Sequence, residues 1–168
     1  FIAPNAVCKD FTAYLDIHGK YFLYADSINN GSSDNCDSIT YYVDEQYFDC
    51  NDLGRNTIIL FVEDVAGNIN TCSATLTLLD TIAPVATCKA PMTLHLDNLG
   101  SASIVASDLD NGSSDSCGLV TFSASQTVFN CSDVGTNDVT LYVTDASGNI
   151  DSCVTQVTVA DTINPVAL

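Results

Sequence analysis

NDVTLYVTDASGNIDSCVTQVTVAD, residues 137–161, decides the fold class. Val139, Leu141 and Val143 alternate with polar residues, ASGN makes a tight turn, and Cys153, Thr155, Val157 and Val159 alternate again. A period of two on both sides of a Gly-Asn turn specifies two adjacent strands, each with one face inward. Upstream, MTLHLD (92–97) alternates through Leu94 and Leu96, NLG turns, and SASIVAS (101–107) reads as the next strand. LVTFSAS (119–125) follows as a strand, then the irregular QTVFNCSDVG (126–135). No segment carries helical periodicity. The class is all-β, with short strands between Gly, Asn and Asp turns, as in a small β-sandwich.

The same pattern is written twice. Cys36, Cys50 and Cys72 recur 81 positions later as Cys117, Cys131 and Cys153, and Asp80-Thr-Ile-Ala-Pro84 recurs as Asp161-Thr-Ile-Asn-Pro165. Cys8 and Cys88 are 80 apart, so the second copy holds one extra residue before Gly100. The reading is two units, 1–80 and 81–168, with 161–168 beginning the junction to a following repeat of a longer array.

Composition narrows the chemistry. Four basic residues against 21 acidic ones, 19 of them Asp, give a net charge of −17, which repels nucleic acid and anionic membrane and favours cations. With 46% hydrophobic residues the chain still builds cores, and no apolar run reaches the roughly 20 residues of a membrane span.

Eight cysteines without a CxxC pair, far from His18 and His95, exclude thiolate metal spacing and indicate disulfides in an oxidising compartment outside the cytoplasm. Four cysteines per unit allow three connectivities. Cys72 and Cys153 share a face with inward apolar positions, and the first and last strands of an Ig-like sandwich lie side by side. The expected pairs are therefore Cys8–Cys72 and Cys88–Cys153, leaving Cys36–Cys50 and Cys117–Cys131 as local staples. A core this small calls for such staples.

The stretch VGTNDVTLYVTDASGNIDSC (134–153), its earlier version LGRNTIILFVEDVAGNINTC (53–72), and a cysteine opening each first strand resemble the hyalin-repeat (HYR) family of extracellular Ig-like modules. The resemblance assigns the family's two characteristic cysteines to Cys8/Cys72 and Cys88/Cys153. The extra cysteine pair, the DNGSSD phrase and the DTIAPVA junction are similar to the variant found in long arrays of bacterial surface adhesins and attachment proteins. It implies two tandem Ig-like β-sandwich domains, each with two disulfides, on the cell surface, and a structural or adhesive role without catalysis.

The acidic phrase DLDNGSSDSC (108–117) reads in two ways. In an Ig-like sandwich the loop after the second strand and the last hairpin turn face the preceding module. Asp80, Asp108, Asp110, Asn111, Asp115 and Asp145 would then supply the 6–8 oxygens of a calcium ion that stiffens the joint. The first repeat offers a weaker set, Asp26, Asn30, Asp34 and Asp64, because Ser27 and Asn29 replace Asp108 and Asp110. An EF-hand is excluded, since Gly112 falls one place early and Leu119 stands where Glu is required. The competing reading is a turn-rich loop whose Asp and Asn side chains bond nearby backbone N–H groups. Calcium is the cofactor implied, and no other.

Ser27, Ser38, Thr81 and Thr162 each follow Asp and precede Ile, resembling an O-glycosylation acceptor used by some bacteria. No nucleophile elbow is present, both histidines lie on or beside strands, and Trp is absent, so the chain is not read as an enzyme. Tyr21, Tyr24, Tyr41, Tyr42 and Tyr47 cluster in the first unit alone. The function expected is a stiff tandem repeat of an extracellular stalk or filament. Its partners are neighbouring repeats and other copies in a filament. The alternative is a recognition module that binds a glycan or host protein through its loops or the Tyr-rich surface.

Overall fold

The structure is a computed structural model and describes residues 2–36 and 38–164. The last residues of the expected onward junction, 165–168, lie outside them. The chain divides into two compact units, Phe1–Ile82 and Ala83–Leu168. Each is an Ig-like β-sandwich.

In the first unit, β1 (Phe11–Tyr14), β6 (Ile69–Leu79), β5 (Gly54–Asp64) and β3 (Ile39–Val43) form one sheet in that order. A two-stranded sheet of β2 (Lys20–Phe22) and β4 (Tyr47–Asp49) completes the unit. The second unit repeats this with β7 (Met92–His95), β12 (Ile150–Ala160), β11 (Gly135–Thr144) and β9 (Thr121–Ala124) in one sheet, and β8 (Ser101–Ser103) with β10 (Val128–Asn130) in the other. The first and last strands of the large sheet run parallel, pairing Phe11 with Leu76 and Met92 with Val157.

The period-two reading explains the core. Val139, Leu141, Val143 and Val157 have no exposed surface, and they pack with Leu94, Leu96, Ile104, Leu109 and Phe129. At roughly 25 cal/mol per Å² of apolar surface removed from water, each such side chain stabilises the fold by about 1.5–3 kcal/mol. Ile58, Leu60, Val62, Leu76 and Leu78 do the same in the first unit.

Two local expectations change. SASIVAS is a strand only over Ser101–Ser103; Ala106–Leu109 then winds into a 3-10 turn. The Asp108 carboxylate accepts the Val105 N–H at 2.9 Å, and Leu109 is driven fully into the core. This is the usual competition of a short polar side chain with the β ladder. The irregular stretch instead contains β10, where Phe129 is fully buried. The registers also place the extra residue of the second unit: Phe11 matches Met92 while Cys8 matches Cys88, so it lies between Cys88 and Met92.

Candidate functional site

Each sandwich has a leading end, where the chain comes in, and a trailing end, where it leaves. In the first unit the leading end carries the β5–β6 turn, and Asn70 Nδ2 donates to the Pro4 carbonyl there at 2.9 Å. The trailing end carries the Asp16–Lys20 turn and the start of β5, where Gly54 pairs with Leu78.

The cysteines sort by these ends. Cys8–Cys72 and Cys88–Cys153 are bonded, with Cα–Cα distances of 5.9 and 5.8 Å and sequence separations of 64 and 65. They clamp the chain near its arrival to the last strand. The expected staples Cys36–Cys50 and Cys117–Cys131 are not formed, because Cys36 and Cys131 are free, exposed thiols. Cys36 stands just before β3, whose Ile39 pairs with Asp64 at the leading end. Cys50 opens a 3-10 turn at the trailing end, with Sγ 3.7 Å from the Gly19 carbonyl oxygen. The eleven residues of β5 lie between those ends. At about 3.3 Å per residue that is roughly 33 Å, against a Cα–Cα limit of about 7 Å for a disulfide. The second unit has the same layout: Cys117 lies beside the Asp115–Gly118 bridge, and Cys131 Sγ is 3.8 Å from the Gly100 carbonyl oxygen.

The acidic phrase runs as a stitch along the first segment of its unit. In the second unit Asn111 N–H donates to the Thr87 carbonyl, Val85 and Ser114 form a bridge, and Ser113 Oγ accepts the Thr87 N–H at 2.9 Å. Asp110 accepts from Gly112 N–H at 3.1 Å and Ser113 N–H at 2.9 Å. Burial opposes ionisation of Asp110, but bonds from the Ser113 hydroxyl and the Ser113 and Gly112 backbone, helped by Lys89, hold its carboxyl below the ordinary value. The first unit makes the same stitch with Asn29 in place of Asp110. Asn29 Oδ1 accepts Ser32 N–H at 3.0 Å, and Ser32 Oγ accepts Val7 N–H at 3.0 Å. The exchange of Asn for Asp therefore leaves the local geometry intact.

Within the second unit, Asp108, Asp110 and Asp145 of the expected calcium set are each engaged in local hydrogen bonds. Asp108 is exposed and caps its own 3-10 turn, and Asp110 lies level with Cys88, several residues below the β11–β12 turn. Asp145 is buried and spent on that turn, accepting from Ser147 N–H, Asn149 N–H and Asn149 Nδ2 at 2.8–2.9 Å. Asp115 accepts the Cys117 N–H at 2.6 Å. Asp80, itself buried, accepts the Ile82 N–H at 3.0 Å, a turn that Asp161 and Ile163 repeat.

In the first unit, Asp26 accepts from the Tyr41 hydroxyl, which raises the Tyr41 phenol above its ordinary value, and Asn30 is bound through its backbone to Val7. Asp34 and Asp64, in contrast, line one cleft of about 200 Å³ with Asn68 at the leading end. Asp34 Oδ1 is buried there without a hydrogen-bond partner. Asp64 accepts from Ala66 N–H, Asn68 N–H and Asn68 Nδ2 at 2.7–2.9 Å, and the Asn68 bonds keep its carboxyl below 3.8. Of the acceptor-like hydroxyls, Ser38, Thr81 and Thr162 are exposed and Ser27 is half-buried in the Ala25–Ile28 turn.

One surface was only partly legible in the sequence. Tyr14, Tyr21, Phe22 and Tyr47, with Asp16, Lys20 and Asp49, line a groove of about 620 Å³ at the trailing end of the first unit. Phe22 packs edge-on against Tyr24 and Tyr47 with centroids 4.7 and 5.0 Å away, and Lys20 Nζ reaches Asp49 at 3.6 Å. At the matching positions the second unit has His95, Ala102, Ser103 and Val128, so the groove belongs to one unit. Tyr41 and Tyr42 lie on a different strand, β3, and Tyr42 stacks on Phe61. The signal that could have separated the two sets is strand membership.

Neither a protein-family model nor a curated protein matches the chain. Among solved structures it is similar to human protocadherin-24 EC1-2 (12% identity, TM-score 0.47, covering 97% of this chain and 100% of that one). It is also similar to titin I-band fragment I67-I69 (14% identity, TM-score 0.45, covering 96% and 67%). Drosophila N-cadherin EC1-4 gives 13% identity and a TM-score of 0.49, with 95% of this chain and 50% of that one covered. No helix among the described residues is long and apolar enough to cross a membrane.

Proposed function

We propose that the chain is a mechanical tandem repeat of an extracellular stalk or filament, of the HYR type. The observation that carries this reading is the clamp from the arriving chain to the last strand. Tension entering at Cys8 passes through the disulfide to Cys72, 64 positions on, and out along β6, so the residues between them bear none of it. The second unit is built the same way through Cys88 and Cys153. Such disulfides persist in oxidising compartments.

Force spectroscopy tests this. Under oxidising conditions a pulled unit should release only the chain outside its clamp. Reductant should add about 210–230 Å per unit, from a sequence separation of 64 at roughly 3.3–3.6 Å per residue step. Full-length extension without reductant would overturn the reading.

Calcium enters in reduced form. The cleft between Asp34 and Asp64, with its unpartnered buried oxygen, is the place where a divalent cation would gain ligands, and Asp108 and Asp110 have no part in it.

The groove favours a second reading, recognition of a glycan by the first unit. Exposed aromatic faces beside carboxylates suit sugar rings and their hydroxyls. A glycan array with the whole chain and with Tyr47→Ala tests it; equal, or no, binding by the two rejects it.

A further inference from the structure

We propose that Cys36 and Cys131 are the two halves of a disulfide between successive modules. The trailing-end thiol of one chain bonds the leading-end thiol of the next. Both are free and exposed, and neither can reach the other cysteine of its own unit across the length of the sandwich. The repeat supplies the independent observation. Cys117, the counterpart of Cys36, and Cys50, the counterpart of Cys131, are both oxidised. A leading-end cysteine and a trailing-end cysteine of this design are therefore disulfide-forming positions, and Cys36 and Cys131 are the same two positions with the bond not yet made.

The pairing rule is leading with trailing, which gives a head-to-tail contact between unlike surfaces. Such a contact propagates into a chain of modules and does not close into a dimer. The natural partner, another module of this pattern, rests on the tandem-array reading; the chemistry does not.

The oxidant is a small-molecule disulfide. The Cys131 thiolate attacks it, forms a mixed disulfide and expels one thiolate. The Cys36 thiolate of a second copy attacks Cys131 Sγ and expels the other. One Sγ–Sγ bond forms and the oxidant's S–S bond breaks. Its two sulfurs take up the two electrons, and the two thiol protons end on the released small thiols.

The test uses the full chain at high concentration with oxidised glutathione, read on non-reducing gels and by peptide mapping. A ladder in steps of 17.8 kDa is expected, with a cross-link joining residue 36 to residue 131. Cys36→Ser alone and Cys131→Ser alone should each stay monomeric, while their mixture should give dimer and nothing longer. Both positions are exposed, and unchanged melting of the two variants verifies that they fold. Dimers from either variant by itself, a 36–131 bond within one monomer, or glutathione adducts without a ladder would each overturn the proposal. The force experiment on single units is indifferent to these outcomes, so the two readings fail separately.

Discussion

Cys131 Sγ occupies the side of Gly100 where a Cβ would project, 2.7 Å from that position. Gly100 also has φ +71°, a left-handed conformation that costs a residue with a Cβ about 1–2 kcal/mol. Gly100→Ala should therefore destabilise the second unit by more than Gly112→Ala, which has φ +88° but nothing within 4 Å of its added Cβ. Urea denaturation of the two variants measures the difference.

The clamps should dominate stability. Removing Cys88–Cys153 by a double substitution to Ala opens a 65-residue loop, worth about 4 kcal/mol in the chain-entropy model. Cys36→Ser should change stability by less than about 0.5 kcal/mol, as expected for an exposed site. Equal losses would contradict the assignment of clamp and free thiol.

Asp64 carries a pH prediction. Its carboxyl lies below 3.8 in the folded unit, chiefly through the Asn68 side-chain and backbone bonds. A depressed folded pKa contributes stability that is present above the unfolded value and lost as pH falls through it toward the folded value. Stability measured from about pH 5 down to about pH 2 should therefore drop, and less steeply in Asp64→Asn. An unchanged slope would show that the turn does not hold the ionised form.

Calorimetry with calcium separates the two readings of the acidic residues. Asp108→Ala/Asp110→Ala should leave any calcium heat unchanged while lowering the melting temperature, because these carboxylates hold Val105, Gly112 and Ser113. Asp34→Ala should abolish the heat. The reverse pattern would restore the expected junction site.

Strand alternation, the 81-residue repeat and the face shared by Cys153 and Val157 were all legible in the residues, because side-chain direction in a strand is a local property with a period of two. So were the local bonds from Asp110 to the Gly112 and Ser113 backbone in the DNGSSD phrase, one of two readings a short polar loop supports, whereas its stitching to residues 85–87 was not. What spacing along the chain could not give was distance through space. Cys36 and Cys50 are separated by only 13 intervening residues, and that closeness suggested a staple. The fold runs this stretch one way along the sandwich, through β3 and then β4, placing them at opposite ends. The same folding drew Tyr14, Tyr21, Phe22 and Tyr47 into one groove and left Tyr41 and Tyr42 on another strand. Period and repeat belong to the sequence by itself; which end of the sandwich a side chain reaches depends on strand register, and that only the packed tertiary structure decided.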